Sequence, residues 1–507
     1  MLFVGWDCLL IAFSLDVKDF PAMPDSFTSL RMCFLIFICS VCFGGNTGPC
    51  LSAEISAADA KQAMKRATHF FTSEVSSEGG YLWKYSEDLS KREGEGAATD
   101  SMIWVQPPGT PSVGEAFLTA YQKTGESYLL EAAKGAASAL VRGQLKSGGW
   151  ADHIEFKNRK KYQYRIDGGG SKARNRTTFD DNKSQSALRF LMLLDQELKF
   201  QDQSIHEAVT YALKSFLKAQ FPNGGWPQQY TSFPNLENYP ILKASYPDSW
   251  PREFPGKKYT DYYTFNDNAI ADLVEMMFLA DHIYKDSRYR EAALKAGDFI
   301  ILSQMPEPQP AWAQQYNQKM EPAWARKFEP PSVTGGESQG VIKTLMQLYI
   351  YSGEKKYLKP IPAALSYLRK SELPGGKLAR FYELKTNRPL YFTKQYQLTY
   401  KSDDVPTHYA FVVKNKLNNL ESRYRKLLKT SPQKLASMRF PERRVRLTPS
   451  LIAKAKSAID SLNARGAWNV QGELRSANLE NVPIIETKVF IKNLVTLANF
   501  VAASQRD

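Results

Sequence analysis

The sequence predicts an all-α fold: an incomplete α/α toroid with long loops and short β-strands in its insertions. Two observations carry this expectation. Several helical segments are apolar on more than one face, as at Ile270, Leu273, Val274, Met277 and Phe278, and a Gly-Gly-aromatic turn recurs along the chain. Helices apolar all round belong in an interior. Alternating such helices with half-exposed ones, at a period of roughly seventy residues, is the pattern of paired helices with their loops.

The turns are Gly79-Gly80-Tyr81, Gly148-Gly149-Trp150 and Gly224-Gly225-Trp226, with a weaker echo at Gly375-Gly376. Ala/Leu-rich segments run into the last three, and Tyr128, Tyr289 and Tyr357 open segments of this kind. Between them the spacing predicts helices over 112–124, 183–196, 269–283 and 338–351. Short strands are expected at 161–166 and 390–400. The basic run 414–429 reads as a solvated helix. A turn near Asn463-Ala464-Arg465-Gly466 precedes a closing helix over 490–500.

The chain has 507 residues, 43% of them hydrophobic, and a net charge of +14. That charge favours an anionic partner: acidic polysaccharide, nucleic acid or an anionic membrane surface. All five cysteines lie in the first fifty residues, and 32–43 is an apolar run preceded by Arg31 and followed by Leu51-Ser52-Ala53. The layout is that of a secretory signal, too short for a comfortable membrane span. The expected organisation is therefore 1–53 as N-terminal extension plus signal peptide, with either Met32 as the true start or a real N-terminal extension or uncleaved anchor, and 54–507 as one catalytic domain. The mature chain would be cysteine-free and secreted or periplasmic. The five histidines are scattered without metal spacing, and no G-x-S-x-G elbow or phosphate loop occurs.

The informative stretch is 221–230, Phe-Pro-Asn-Gly-Gly-Trp-Pro-Gln-Gln-Tyr. Two prolines and two glycines exclude a helix interior or a central strand. Trp226 and Tyr230 then sit on a sharp loop at a helix end. There Trp226 either faces a sugar or plugs the top of a helical hairpin. Upstream is Thr178-Phe179-Asp180-Asp181-Asn182; downstream is Thr264-Phe265-Asn266-Asp267-Asn268. Both precede apolar helical runs, where an aspartate is also a good helix cap. Further on come Trp324-Ala325-Arg326-Lys327-Phe328-Glu329-Pro330-Pro331-Ser332, Ala379-Arg380-Phe381-Tyr382-Glu383 and Thr386-Asn387-Arg388-Pro389.

In this order the motifs resemble the pectate lyases of polysaccharide lyase family ten, the pectic acid lyase family, from about Ala58 to the C-terminus. The resemblance implies a toroid that cleaves polygalacturonate by β-elimination. That chemistry needs a base, hard oxygen ligands for Ca²⁺, and cations to neutralise the uronate carboxylate. By resemblance, Asp180 and Asp267 hold Ca²⁺, Arg326 is the base, and Arg380, Arg388 and Lys394 grip substrate carboxylates. Trp226 and Tyr230 would contact the sugar. The chain departs from the family at Asp181, at Lys183 (where a small residue is usual), at Lys394 in place of an arginine, and in a longer loop over 231–263. The expected partner is acidic polysaccharide, with no nucleic acid, no membrane after signal removal, and a monomeric chain. The competing readings are a glycoside hydrolase on a similar toroid, working with two carboxylates, and a non-catalytic sugar-binding protein.

Overall fold

The tryptophans of the recurring turns set the helix pairing. In the computed structural model, which describes residues 55–256, 259–441 and 444–505, the indole N–H of Trp150 donates to Leu140 O (2.8 Å) and that of Trp226 to Phe216 O (2.9 Å). Trp312 and Trp468 do the same to Ile300 O and Ala458 O, both at 2.8 Å. Each acceptor lies near the C-terminal end of a helix, where carbonyls lack intrahelical partners. All four side chains are buried. A glutamine repeats alongside: the amide Nε2 of Gln144, Gln220 and Gln304 each bridges two backbone carbonyls, one from its own turn and one from a later element. The turns need glycine for backbone reasons. Gly224 has φ +98°, and a Cβ there would lie 2.0 Å from Lys295 O.

The helices run α1 (Ala57–Phe70), α2 (Thr110–Thr124), α3 (Ser127–Arg142), α4 (Lys183–Glu197), α5 (Gln203–Ala219), α6 (Ala269–Tyr284), α7 (Ser287–Leu302), α8 (Gly335–Ser352), α9 (Ile361–Lys370), α10 (Leu417–Leu428), α11 (Pro432–Ala436), α12 (Pro449–Asp460) and α13 (Thr487–Ser504). Helix α13 packs on α2, α2 on α4, α4 on α6, and α6 on α8. Against that succession lie α1 and α12 on α13, α3 on α2, α5 on α4, α7 on α6, and α9 and α10 on α8. Helices α4, α6 and α8 are buried over most of their surface. Helix α5 buries only a stripe, Ile205, Ala208, Val209, Ala212, Leu213 and Phe216, at helical spacing. The ends of this unit meet in a sheet: Lys84–Ser86 pairs with Leu479–Glu486, which pairs with Asn469–Leu474.

Two-residue strands precede three of the buried helices. Thr177–Thr178 leads towards α4 and pairs with Gln229–Tyr230. Tyr263–Thr264 leads towards α6 and pairs with Gln315–Tyr316. Val333–Thr334 leads into α8 and pairs with Phe381–Tyr382. The N-terminal ends of α4, α6 and α8 are thereby tied to the loops that follow the paired helices.

The expected strand at 390–400 is split into Pro389–Phe392 and Leu398–Thr399. No strand forms at 161–166. Arg159–Lys161 is a 3₁₀ turn, and Tyr162 and Tyr164 make only isolated bridges, because their loop folds back on itself, Gly169 N donating to Tyr162 O. The basic run over 414–429 contains α10, which is solvated on one face only; Leu417, Leu420 and Leu427 are buried. The signal segment, Met32 and the five cysteines lie outside the described residues. Among the described residues no helix is long and apolar enough to cross a membrane.

Trp226 tests this account directly. It is 0% exposed and holds the end of α5. Trp226→Ala is expected to lower unfolding free energy by about 3–5 kcal/mol, the range for truncating a buried aromatic, as read from urea titration.

Candidate active site

The two Thr-Phe motifs fold into the same turn. The Thr178 hydroxyl accepts from Asp180 N (3.2 Å), as Thr264 does from Asn266 N (3.0 Å). The next two residues are left-handed in both: Asp181 and Asn182 at φ 48° and 56°, Asp267 and Asn268 at 47° and 59°. Asp and Asn tolerate this region better than most residues. In register, then, Asp267 corresponds to Asp181, and Asp180 to Asn266. The two 3₁₀ turns pack together at the heads of α4 and α6.

This brings carboxylate oxygens of Asp180, Asp181 and Asp267 within 4.8 Å of one another. Gln228 donates to Asp180 Oδ1 (2.9 Å) and Gln106 to Asp181 Oδ2 (3.1 Å). Withdrawal of the Asp267 carboxyl from water, followed by the charges of Asp180 and Asp181, pushes it up to about 8. Because the residue as a whole is exposed on its loop, we give the like charges the greater weight. Burial, then Asp180, raises Asp181 as well. Three carboxylates crowded in this way are hard oxygen donors suited to a calcium ion. The Oε1 of Gln106 is buried without a hydrogen-bond partner and is a further neutral oxygen beside them.

Lys183, at the start of α4, already occupies one flank. Its Nζ is 3.2 Å from Asp152 Oδ1, 3.4 Å from Asp181 Oδ2 and 3.5 Å from Asp180 Oδ2. Burial works against the ammonium, but Asp180, Asp152 and Asp181 outweigh it and hold the group above the ordinary lysine value.

Arg326 is held by Glu329. Its Nε and Nη2 donate to the two Glu329 oxygens at 2.9 and 2.6 Å, and Tyr409 adds a hydrogen bond at 2.9 Å. The guanidinium also lies over the Phe328 and Tyr409 rings. Burial disfavours its charge, but the Glu329 hydrogen bonds and charge prevail, so its proton is held more tightly than in an ordinary arginine. That pairing opposes the base role expected for Arg326. The charges of Arg326 and Asp267 nonetheless act on each other, so the arginine belongs to the same site as the acids.

Arg380 donates to Glu337 (3.0 Å) and to Ala410 O (2.6 Å), with its guanidinium over Tyr409. Arg388 is exposed and stacks 3.5 Å from the Tyr400 ring centroid, while Lys394 pairs with Asp404 at 3.4 Å. Neither makes an ion pair with the acid cluster. The sugar-contact expectation fails for Trp226, whose ring is consumed in holding α5. Tyr230 is 6% exposed, packs against Phe179 and Phe233, and lines a pocket of about 260 Å³ together with residues of the 231–263 loop. That loop docks beside Arg326: Arg252 pairs with buried Glu383, and Trp324 donates to Pro251 O (2.9 Å).

Sequence reasoning gave no role to Asp152, Gln228, Gln314 or Tyr409. A signal for three of them exists. Asp152, Gln228 and Gln314 each stand two residues after a buried tryptophan, at Trp150, Trp226 and Trp312. At that offset Asp152 reaches Lys183 and Gln228 reaches Asp180, while the Gln314 side chain is buried without a hydrogen-bond partner.

Residues 144–378 match the pectic acid lyase family. Over that span the chain is similar to the family. The match makes the protein a polysaccharide lyase. No curated protein matches the chain. Among solved structures, a family 10 polysaccharide lyase from Cellvibrio cellulosa is similar at 18% identity and TM-score 0.44, over 63% of this chain and 98% of that one. A variant from the same organism in complex with trigalacturonic acid has 19% identity and TM-score 0.41 over the same shares. A family 76 glycoside hydrolase from Bacteroides thetaiotaomicron VPI-5482 has 11% identity and TM-score 0.42, over 89% and 98%. At these scores the likenesses add nothing to the family match.

Proposed function

We propose that the protein is a secreted pectate lyase that cleaves polygalacturonate by β-elimination, on an incomplete α/α toroid, with Ca²⁺ held by Asp180 and Asp267. The observation that carries the reading is the convergence of Asp180, Asp181 and Asp267 at the heads of α4 and α6, within the stretch that matches the family. The succession α13, α2, α4, α6, α8 supports the toroid.

Eliminating the 4-O substituent of a uronate requires removal of the C5 proton next to a carboxylate. When bound, calcium would neutralise that carboxylate and make the proton more acidic. The protein's own groups supply the rest. In this proposal Arg326, whose charge acts on Asp267, takes the C5 proton in its neutral form, against the hold that Glu329 keeps on its charged form. Arg380 sits beside the same Tyr409 ring and adds positive charge where the enolate-like intermediate develops. Arg388 and Lys394 lie on their own hairpin and would engage a more distant sugar carboxylate; Arg suits such a contact through its planar fork.

Digestion of polygalacturonate followed by ultraviolet absorbance tests this. A lyase produces a conjugated unsaturated end, and absorbance should rise with time. Reducing ends without absorbance would mean a hydrolase, and neither signal would mean a binding protein.

A further inference from the structure

Among the described residues Lys183 is the one lysine that pairs with the acid cluster, and it does so from within the helix scaffold. Its side chain is 4% exposed and its stem enters from the first position of α4. Its three carboxylate neighbours include two of the three acids that converge. The third, Asp267, accepts from Asn266 Nδ2 (2.6 Å) and feels the charges of Arg326 and Arg380. The ammonium is therefore in direct contact with the Asp180 and Asp181 side of the cluster, whereas the arginines act on Asp267 without an ion-pair contact among the described residues.

We propose that Lys183 is a resident counter-cation that competes with a divalent metal for Asp180 and Asp181 and so sets a weak metal affinity. This rests on the reading that the cluster holds calcium. A fixed ammonium acts twice. Its charge repels an entering dication at short range, where low-dielectric surroundings magnify the effect. Its hydrogens also occupy oxygen lone pairs that the metal needs. Asp152 moderates both effects, because it draws part of the ammonium away from the other two acids. The metal would then bind mainly through Asp267 and the oxygen lone pairs of Asp180 and Asp181 that Lys183 leaves open. Substrate carboxylate would be needed to complete the shell.

The experiment is calcium titration of the intact protein by calorimetry, without substrate, alongside thermal unfolding with and without calcium. The variants are Lys183→Met, Lys183→Arg and Asp152→Asn. Lys183→Met should bind calcium at least about tenfold more tightly than wild type, the scale of one neighbouring charge removed, and show a larger calcium-induced rise in Tm. Lys183→Arg keeps the charge and should stay near wild type. Asp152→Asn should weaken binding, because Lys183 then leans wholly on Asp180 and Asp181. A purely structural lysine would move Tm in all three variants without moving the calcium dissociation constant in these opposite directions. Unchanged or weaker binding in Lys183→Met overturns the proposal. If Lys183→Met does not fold in calcium, Asp152→Asn decides alone, and unchanged affinity there overturns it. The two readings fail separately. Tighter calcium binding without any ultraviolet-absorbing product would remove the lyase and leave the competition intact. Product formed in chelator, with no calcium binding by any variant, would do the reverse.

Discussion

Arg326→Ala is expected to lower turnover by about a hundredfold to ten-thousandfold, the span for losing a group that handles the proton, with little change in oligogalacturonide binding. Arg326→Lys should lose nearly as much. A lysine cannot reproduce the forked contact that the guanidinium makes to Glu329 at 2.6 and 2.9 Å. Part of the damage would be to the fold, since Glu329 is 2% exposed and would be left unpaired. With Arg326 itself partly in water, that cost is about 1–3 kcal/mol. Glu329→Gln separates the roles. Glu329 holds the Arg326 proton more tightly than usual; removing its charge loosens that hold. A base acts deprotonated, so the rising limb of kcat against pH should move to lower pH in Glu329→Gln if Arg326 takes the proton. An unmoved limb would assign Arg326 to charge stabilisation instead. Near-normal turnover in Arg326→Ala would take it out of the reaction.

The helices were legible because their pattern is local. The predicted segments at 112–124, 183–196, 269–283 and 338–351 fall within or nearly on α2, α4, α6 and α8. Apolar density and turn glycines report such elements directly. The tryptophan device was half legible. Gly-Gly marks it at Trp150 and Trp226, but Trp312 follows Pro310-Ala311 and Trp468 follows Gly466-Ala467, so the repeat shows only once four indoles donate to four helix-end carbonyls. That repetition is also why Trp226 reads as structural. The acids were legible as a pair flanking Trp226, but their register was not. Aligning Asp267 with Asp180 looks natural in sequence, whereas backbone φ aligns it with Asp181. The contacts between distant loops were beyond reach. Arg252 meets Glu383 and Tyr409 meets Glu329 across the chain, and no periodicity marks a contact between one loop and another.

Asp180→Ala and Asp267→Ala should each lose about a hundredfold or more in turnover, the scale seen when one stabiliser of a developing oxyanion is removed, with partial rescue at high calcium. Asp181→Ala belongs with them, since its carboxyl is the counterpart of Asp267 in the repeated turn. Protein carboxylates alone leave calcium short of its usual six to eight oxygens. A uronate carboxylate and water would complete the shell, so metal and sugar affinities should rise together by the same factor. Calorimetry on the Arg326→Ala variant, which binds without turning over, should therefore show tighter calcium binding in the presence of polygalacturonate. Chelator should stop turnover without unfolding the protein. The succession of α2, α4, α6 and α8 is held by buried apolar side chains, and an ion held by Asp180 and Asp267 would touch only the helix heads. Metal-linked stability would then follow saturation, about 2.7 kcal/mol at a hundredfold excess over the dissociation constant. Full activity of both Asp180→Ala and Asp267→Ala in chelator would rule calcium out as the electrophile. The positive charge already built into the site, Lys183, Arg326 and Arg380, would then have to neutralise the uronate unaided.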